Sequence, residues 1–150
     1  MCCQRKNTIA RIIAFLLVIV LVVPMEVSAS TQPRASYYLS SYNAYVYLPG
    51  DGEVRVYFNV QGTDDMDELG TLFIQIYECS TNSSNLNDWE WKTAFAHDSS
   101  PGMLGYDDFY HSGYVSYQGT PGKYYKAYVC VWAGKDGDGD TRYFWTSAKH

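Results

Sequence analysis

From Tyr124 to Trp132 the chain is β-branched or aromatic at almost every position, and it alternates. Tyr125, Ala127, Val129 and Val131 fall on one face; Tyr124, Lys126, Tyr128, Cys130 and Trp132 fall on the other. A period of two is the signature of a strand with its first set in a core and its second towards water. Gly119 and Pro121-Gly122 mark a turn before this run, and Gly134 marks one after it. The rest of the chain is read around this strand.

At the N-terminus, Arg5, Lys6 and Arg11 precede an unbroken apolar run of 12 residues, Ile12 to Val23, followed by Pro24-Met25-Glu26-Val27-Ser28-Ala29. This is the layout of a secretory signal peptide covering residues 1–29, with cleavage after Ala29. A bilayer span needs about 20 apolar residues, so stable membrane insertion is not expected after cleavage. Cys2 and Cys3 stand before the apolar run, where a lipoprotein cysteine would follow it. The mature chain is expected to be secreted and extracellular. Removing the segment takes three of the 11 Lys+Arg and one of the 16 Asp+Glu, leaving 8 against 15 and a net charge of −7. That balance argues against a nucleic-acid partner and against anionic membrane surfaces.

Residues 30–41 read as a flexible N-terminal segment and residues 42–149 as one domain. Seven strands are expected: Asn43–Leu48, Glu53–Val60, Thr71–Cys79, Trp89–His97, Tyr110–Tyr117, Tyr124–Trp132 and Thr141–Ser147. Pro49-Gly50-Asp51-Gly52 joins the first two as a hairpin. Gln61 to Gly70, with Asp64, Asp65, Asp67 and Glu68, reads as an acidic loop, and Lys135 to Asp140 as a tight turn. Hairpins are expected after the first, third and sixth strands, and crossings between sheets after the second, fourth and fifth. The class is all-β: a seven-stranded antiparallel immunoglobulin- or fibronectin type III-like sandwich.

Two resemblances bear on this. Pro121-Gly122-Lys123-Tyr124-Tyr125-Lys126-Ala127-Tyr128-Val129 resembles the sixth strand of fibronectin type III domains. That resemblance implies that Tyr125 sits at a sheet-to-sheet corner and bonds its hydroxyl back to nearby backbone. Ala44 to Gly52, Tyr110 to Gly119 and Lys123 to Val129 are similar to a domain-of-unknown-function family of small secreted proteins from gut-dwelling Gram-positive bacteria. The likeness runs from about Ser36 to Lys149. It implies an extracellular protein and brings no catalytic or ligand residues with it.

The candidates for chemistry are sparse. Asp136-Gly137-Asp138-Gly139-Asp140 opens like a calcium loop, but the positions that need Gly and Glu hold Thr141 and Ser147. It reads as an acidic hairpin turn, and no metal or cofactor is expected. His97 and His111 read as solvent-facing or structural, and Asp107-Asp108 as a solvated pair. No nucleophile, base and orienting group converge by spacing, so no catalytic residues are assigned and the chain is read as a non-enzyme.

The outward aromatics carry more. Tyr77, Lys126, Tyr128, Trp132 and Trp145 are expected on one exposed sheet face. Such a face either stacks on a glycan or meets a cell-surface protein, with Tyr77, Tyr128, Trp132 and Trp145 as the binding residues. The bland alternative is cross-strand pairing that only stabilises the sheet. The alternative function is a self-associating or matrix protein with no small ligand. Cys79 and Cys130 both fall on the outward side and invite a disulfide, which by chain entropy would be worth about 4 kcal/mol. Yet pairing the third and sixth strands by their centres sets Cys79 opposite Tyr124, about 20 Å from Cys130. A bridge needs α-carbons within about 7 Å, so none is expected within one chain.

Overall fold

The computed structural model describes residues 36–150, so the expected signal peptide and its cleavage site lie outside the described residues. Six antiparallel strands share one curled sheet: β1 (Leu39–Gly50), β2 (Glu53–Cys79), β3 (Glu90–Ala96), β4 (Leu104–Gln118), β5 (Tyr124–Lys135) and β6 (Asp138–Trp145). A 3-10 turn at Leu86–Asp88 is the one helical element among the described residues. No helix among them is long and apolar enough to cross a membrane.

The all-β class stands, and the strand count changes. The second and third expected strands are one strand, β2, of 27 residues, and the expected acidic loop is its middle. Met66 and Leu69 continue the buried set begun by Val54, Val56, Phe58 and Val60 and ended by Ile74 and Ile76. Asp64, Asp65, Asp67 and Glu68 stay exposed. Burying one large apolar side chain stabilises by about 1.5–3 kcal/mol, whereas strand propensity spans only about 1 kcal/mol. Two buried anchors therefore outweigh acidic residues that keep their water. The two halves of β2 bury their inner residues in one core, so the strand bends between them. The register against β4 slips between Gln61 and Met66, which marks the place.

β2 organises the sheet. Its first half lies between β1 and β4, and its second half between β5 and β3. Glu68, Leu69 and Gly70 pair with both β4 and β5, so those two strands take opposite edges. β6 extends the sheet beyond β5. The expected crossings after the second and fourth strands therefore do not occur: the first is continuous strand, and the second joins neighbours on one edge of β2. After β4 the chain does pass to β5, but from one edge of β2 to the other within a single sheet rather than between two sheets. Both expected hairpin turns form, each shorter than expected and narrowed to two residues, with positive φ at Asp51 and Gly52 (54° and 79°) and at Asp136 and Gly137 (55° and 81°), which suits a right-twisted hairpin.

β1 starts at Leu39, inside the segment expected to be flexible. Asp140 of β6 accepts hydrogen bonds there from Ser36 Oγ (2.6 Å) and from the amides of Tyr37 (2.7 Å) and Tyr38 (3.0 Å). The Ser36 bond is the chief reason its carboxyl sits below the usual range.

Tyr125 lies where β4 crosses to β5, and it is fully buried. Its hydroxyl accepts from the Thr120 amide, as the corner resemblance implies, and donates to the Glu78 carboxylate, both at 2.5 Å. Burial, then Glu78, push the phenol up to about 12. Burial also raises Glu78, but the Tyr125, Thr120 and Lys92 contacts outweigh it and hold the carboxyl below its usual range. The corner needs Gly119, because a Cβ there would come within 2.5 Å of the Tyr125 hydroxyl.

Candidate functional site

The outer face of the second arm, built by β2, β5 and β6, is set by register. Phe73, Cys130 and Tyr143 lie side by side across the three strands, then Gln75, Tyr128 and Trp145. Tyr77 and Lys126 form the next pair. The rings meet: Tyr128 and Trp145 have centroids 4.9 Å apart, Tyr77 and Trp145 5.0 Å. Phe73 and Tyr143 are 6.0 Å apart, and Phe73 and Tyr128 6.1 Å. Tyr143 is 58% exposed and Trp145 38%.

Lys126 belongs to this face by alternation but does not reach water, being 7% exposed. Its ammonium lies 4.1 Å from the Trp89 ring centroid and 4.6 Å from that of Trp145. Burial depresses its pKa, while nearby Cys79 pulls the other way. A cation between two indoles is worth about 0.5–2 kcal/mol per ring, so it holds Trp145 in place from beneath. Trp89 is fixed in turn by its indole N–H, which donates to the Ser83 carbonyl (3.0 Å).

Of the expected binding residues, Tyr77, Tyr128 and Trp145 come together and Trp132 does not. The register neighbours of Trp132 are Gly70 and Thr141, which offer no ring. Its indole instead covers Gly134 and Gly139, where a Cβ would come within 2.5 Å and 2.3 Å of it, and its Nε1 is buried with no hydrogen-bond partner. Sequence reasoning missed Phe73, Tyr143 and Trp89. Tyr143 alternates with Trp145 and could have been found by counting forward from the Asp136-Gly137 turn.

The first arm carries aromatics on its outer side as well. Tyr45 and Tyr47 of β1, Tyr57 of β2, and Tyr110 and Tyr114 of β4 all point away from the core.

The remaining candidates resolve locally. His111 Nε2 contacts the Gly102 carbonyl at 2.8 Å, and its ring packs near Phe58. His97 is exposed. Asp108 accepts from the amides of Phe109 and Tyr110. Asp138 accepts from the Gly139 amide, and Asp140 anchors Ser36–Tyr38. No group of three or more His, Cys, Asp or Glu that could hold a metal occurs among the described residues. Cys79 pairs with Tyr124 and Cys130 with Phe73, the register expected from strand centres. Both thiols are free. Both are also buried rather than solvent-facing; Cys130 lies between Phe73 and Tyr143 on the neighbouring strands.

No protein-family model matches the chain, and no curated protein matches it. Among solved structures it is similar to that of Spo0M, a sporulation control protein from Bacillus subtilis, at 12% identity and a TM-score of 0.38. The match covers 71% of this chain and 48% of that one, so the chain spans about half that protein's length.

Proposed function

We propose that this chain is a secreted, non-catalytic binding module of β-sandwich type that takes a glycan on the outer face of β2, β5 and β6. The observation that supports it is the ring cluster of Phe73, Tyr77, Tyr128, Tyr143 and Trp145 on adjacent strands, with Tyr143 and Trp145 turned to solvent. Aromatic rings present an apolar body with a polar handle, which suits the C–H face and hydroxyl rim of a sugar. Lys126 beneath Trp145 sets the ring's orientation before a ligand arrives, which lowers the ordering cost of binding.

The test is a glycan array probed with the purified protein and two variants. Tyr143→Ala combined with Trp145→Ala is expected to abolish binding while the protein stays folded, with the lost Trp145 contact to Lys126 costing about 0.5–2 kcal/mol of stability. Trp132→Ala is expected to bind as wild type does, since that ring lies outside the cluster. Saturable binding that survives loss of both Tyr143 and Trp145 ends the proposal. The alternative, self-association without a small ligand, draws on β3, which among the described residues pairs with β2 alone. Glu90 and Lys92 on that short strand are the kind of charges that discourage edge pairing. A concentration-dependent elution volume would favour it.

A further inference from the structure

The outer side of the first arm holds a row of tyrosines. Tyr45 and Tyr57 are stacked, with centroids 5.3 Å apart at an interplanar angle of 12°. Tyr57 and Tyr114 follow at 5.2 Å, and Tyr47 and Tyr57 at 6.2 Å. Beside the row runs an open groove of about 510 Å³, lined by Tyr45, Tyr57, Asn59, Tyr110, Ser112 and Tyr114. That volume falls within the roughly 300–1,000 Å³ of small-ligand sites. Tyr45 is 46% exposed and Tyr114 55%, so much of each ring is left over after cross-strand pairing.

We infer that this groove is a second saccharide site, for a neutral oligosaccharide, and that the protein is bivalent. The inference rests on the reading that aromatic sheet faces here take sugar, but it concerns a separate site. The lining is ring faces plus phenol, amide and hydroxyl groups, with little exposed aliphatic surface of the kind an apolar peptide would seek. The cation beside the row is Arg55, 5.5 Å from the Tyr114 centroid, and Glu53 already holds its guanidinium through two bonds, at 2.7 Å and 3.1 Å. An anionic ligand therefore finds no unpaired positive charge there. Val54, Val56, Phe58 and Val60 of the first arm share one core with Ile74, Ile76, Val129 and Val131 of the second. The outward residues of the two arms therefore point away from each other. A glycan on one face cannot be the ligand on the other, and two bound chains are cross-linked through the protein.

Isothermal titration of the purified protein with chitohexaose, cellohexaose, maltohexaose and mannohexaose tests this. The expected result is two sites per chain for one of these probes. Tyr45→Ser with Tyr114→Ser should leave one site, and Tyr143→Ala with Trp145→Ala should remove the other. Should the serine variant fail to fold, Asn59→Ala with Ser112→Ala keeps the rings and is expected to weaken the groove site at least tenfold. A groove variant that titrates like wild type overturns this inference, as does loss of all binding in the Tyr143/Trp145 variant. A Tyr143/Trp145 variant that titrates like wild type overturns the proposed function instead and leaves the groove standing. No heat with any of the four probes overturns the groove assignment.

Discussion

Tyr125 is the residue whose environment makes the sharpest demands. A hydrogen bond to a charged partner is worth about 1.5–3 kcal/mol, more than the roughly 1 kcal/mol of a neutral one. Because Tyr125 donates to the buried Glu78 carboxylate, Tyr125→Phe is expected to cost about 1.5–3 kcal/mol in urea unfolding. Tyr125→Ala, which also empties a buried ring's volume, should cost about 3–5 kcal/mol. Near-neutral values for both would remove the corner from the account of stability. Glu78 adds a pH dependence with a definite sign. Its carboxyl is held below the ordinary value of 4.5, so its contribution is present above that value and is lost as pH falls through the lower folded-state value. The expected outcome is a wild type that loses stability below about pH 4.5, and a Glu78→Gln variant whose stability is lower at neutral pH and flatter on the acid side. Parallel pH profiles for the two proteins would contradict it.

At the scale of elements, β2 decides the architecture. Its middle is strand because Met66 and Leu69 are buried, so Met66→Ala and Leu69→Ala should each cost about 2–5 kcal/mol. A loop residue would tolerate the same change within about 0.5 kcal/mol. Hydrogen exchange gives an independent check. Leu69 and Gly70 are paired on both edges, by β4 and by β5, so the amides there should be among the most protected in the molecule. Fast exchange at both would mean that β2 is two strands and a loop after all. The start of β1 depends on another element, since Asp140 on β6 accepts the Tyr37 and Tyr38 amides. Asp140→Ala is expected to speed exchange at those two amides while leaving Val54 to Val60 unchanged.

For the whole molecule, a single core joins the two arms, and the outer faces are left to do different work. The thiols report on that arrangement. Cys79 and Cys130 lie on the outer face of the second arm yet are buried there, and burial raises the Cys130 thiol further from its reactive form. Native protein should label slowly with a thiol reagent, and denatured, non-reduced monomer should take up two labels. A denatured monomer with no reactive thiol would mean that β2 and β5 pair in a different register. The candidate glycan face follows from the same register, so a wrong register would dissolve it too.

Alternation was enough to establish the all-β class and the inward sets of the first half of β2 and of β5, and Gly, Pro and Asp marked both hairpin turns, because a period of two and a tight turn are local properties of the chain. Tyr77, Tyr128 and Trp145 could be placed on one face for the same reason. The pairing of Cys79 with Tyr124 needed one further step, matching the centres of two strands. The union of two expected strands into β2 could not be read locally, since an acidic stretch is compatible with a loop and with a strand whose charged side chains face water. Only the burial of Met66 and Leu69 against other strands distinguishes them. The separation of Trp132 from the ring cluster, the burial of Lys126 between Trp89 and Trp145, and the carboxylate partner of Tyr125 were likewise decided by tertiary structure. Each depends on what a neighbouring strand brings to the same position, and cross-strand neighbours are set by register across the whole sheet.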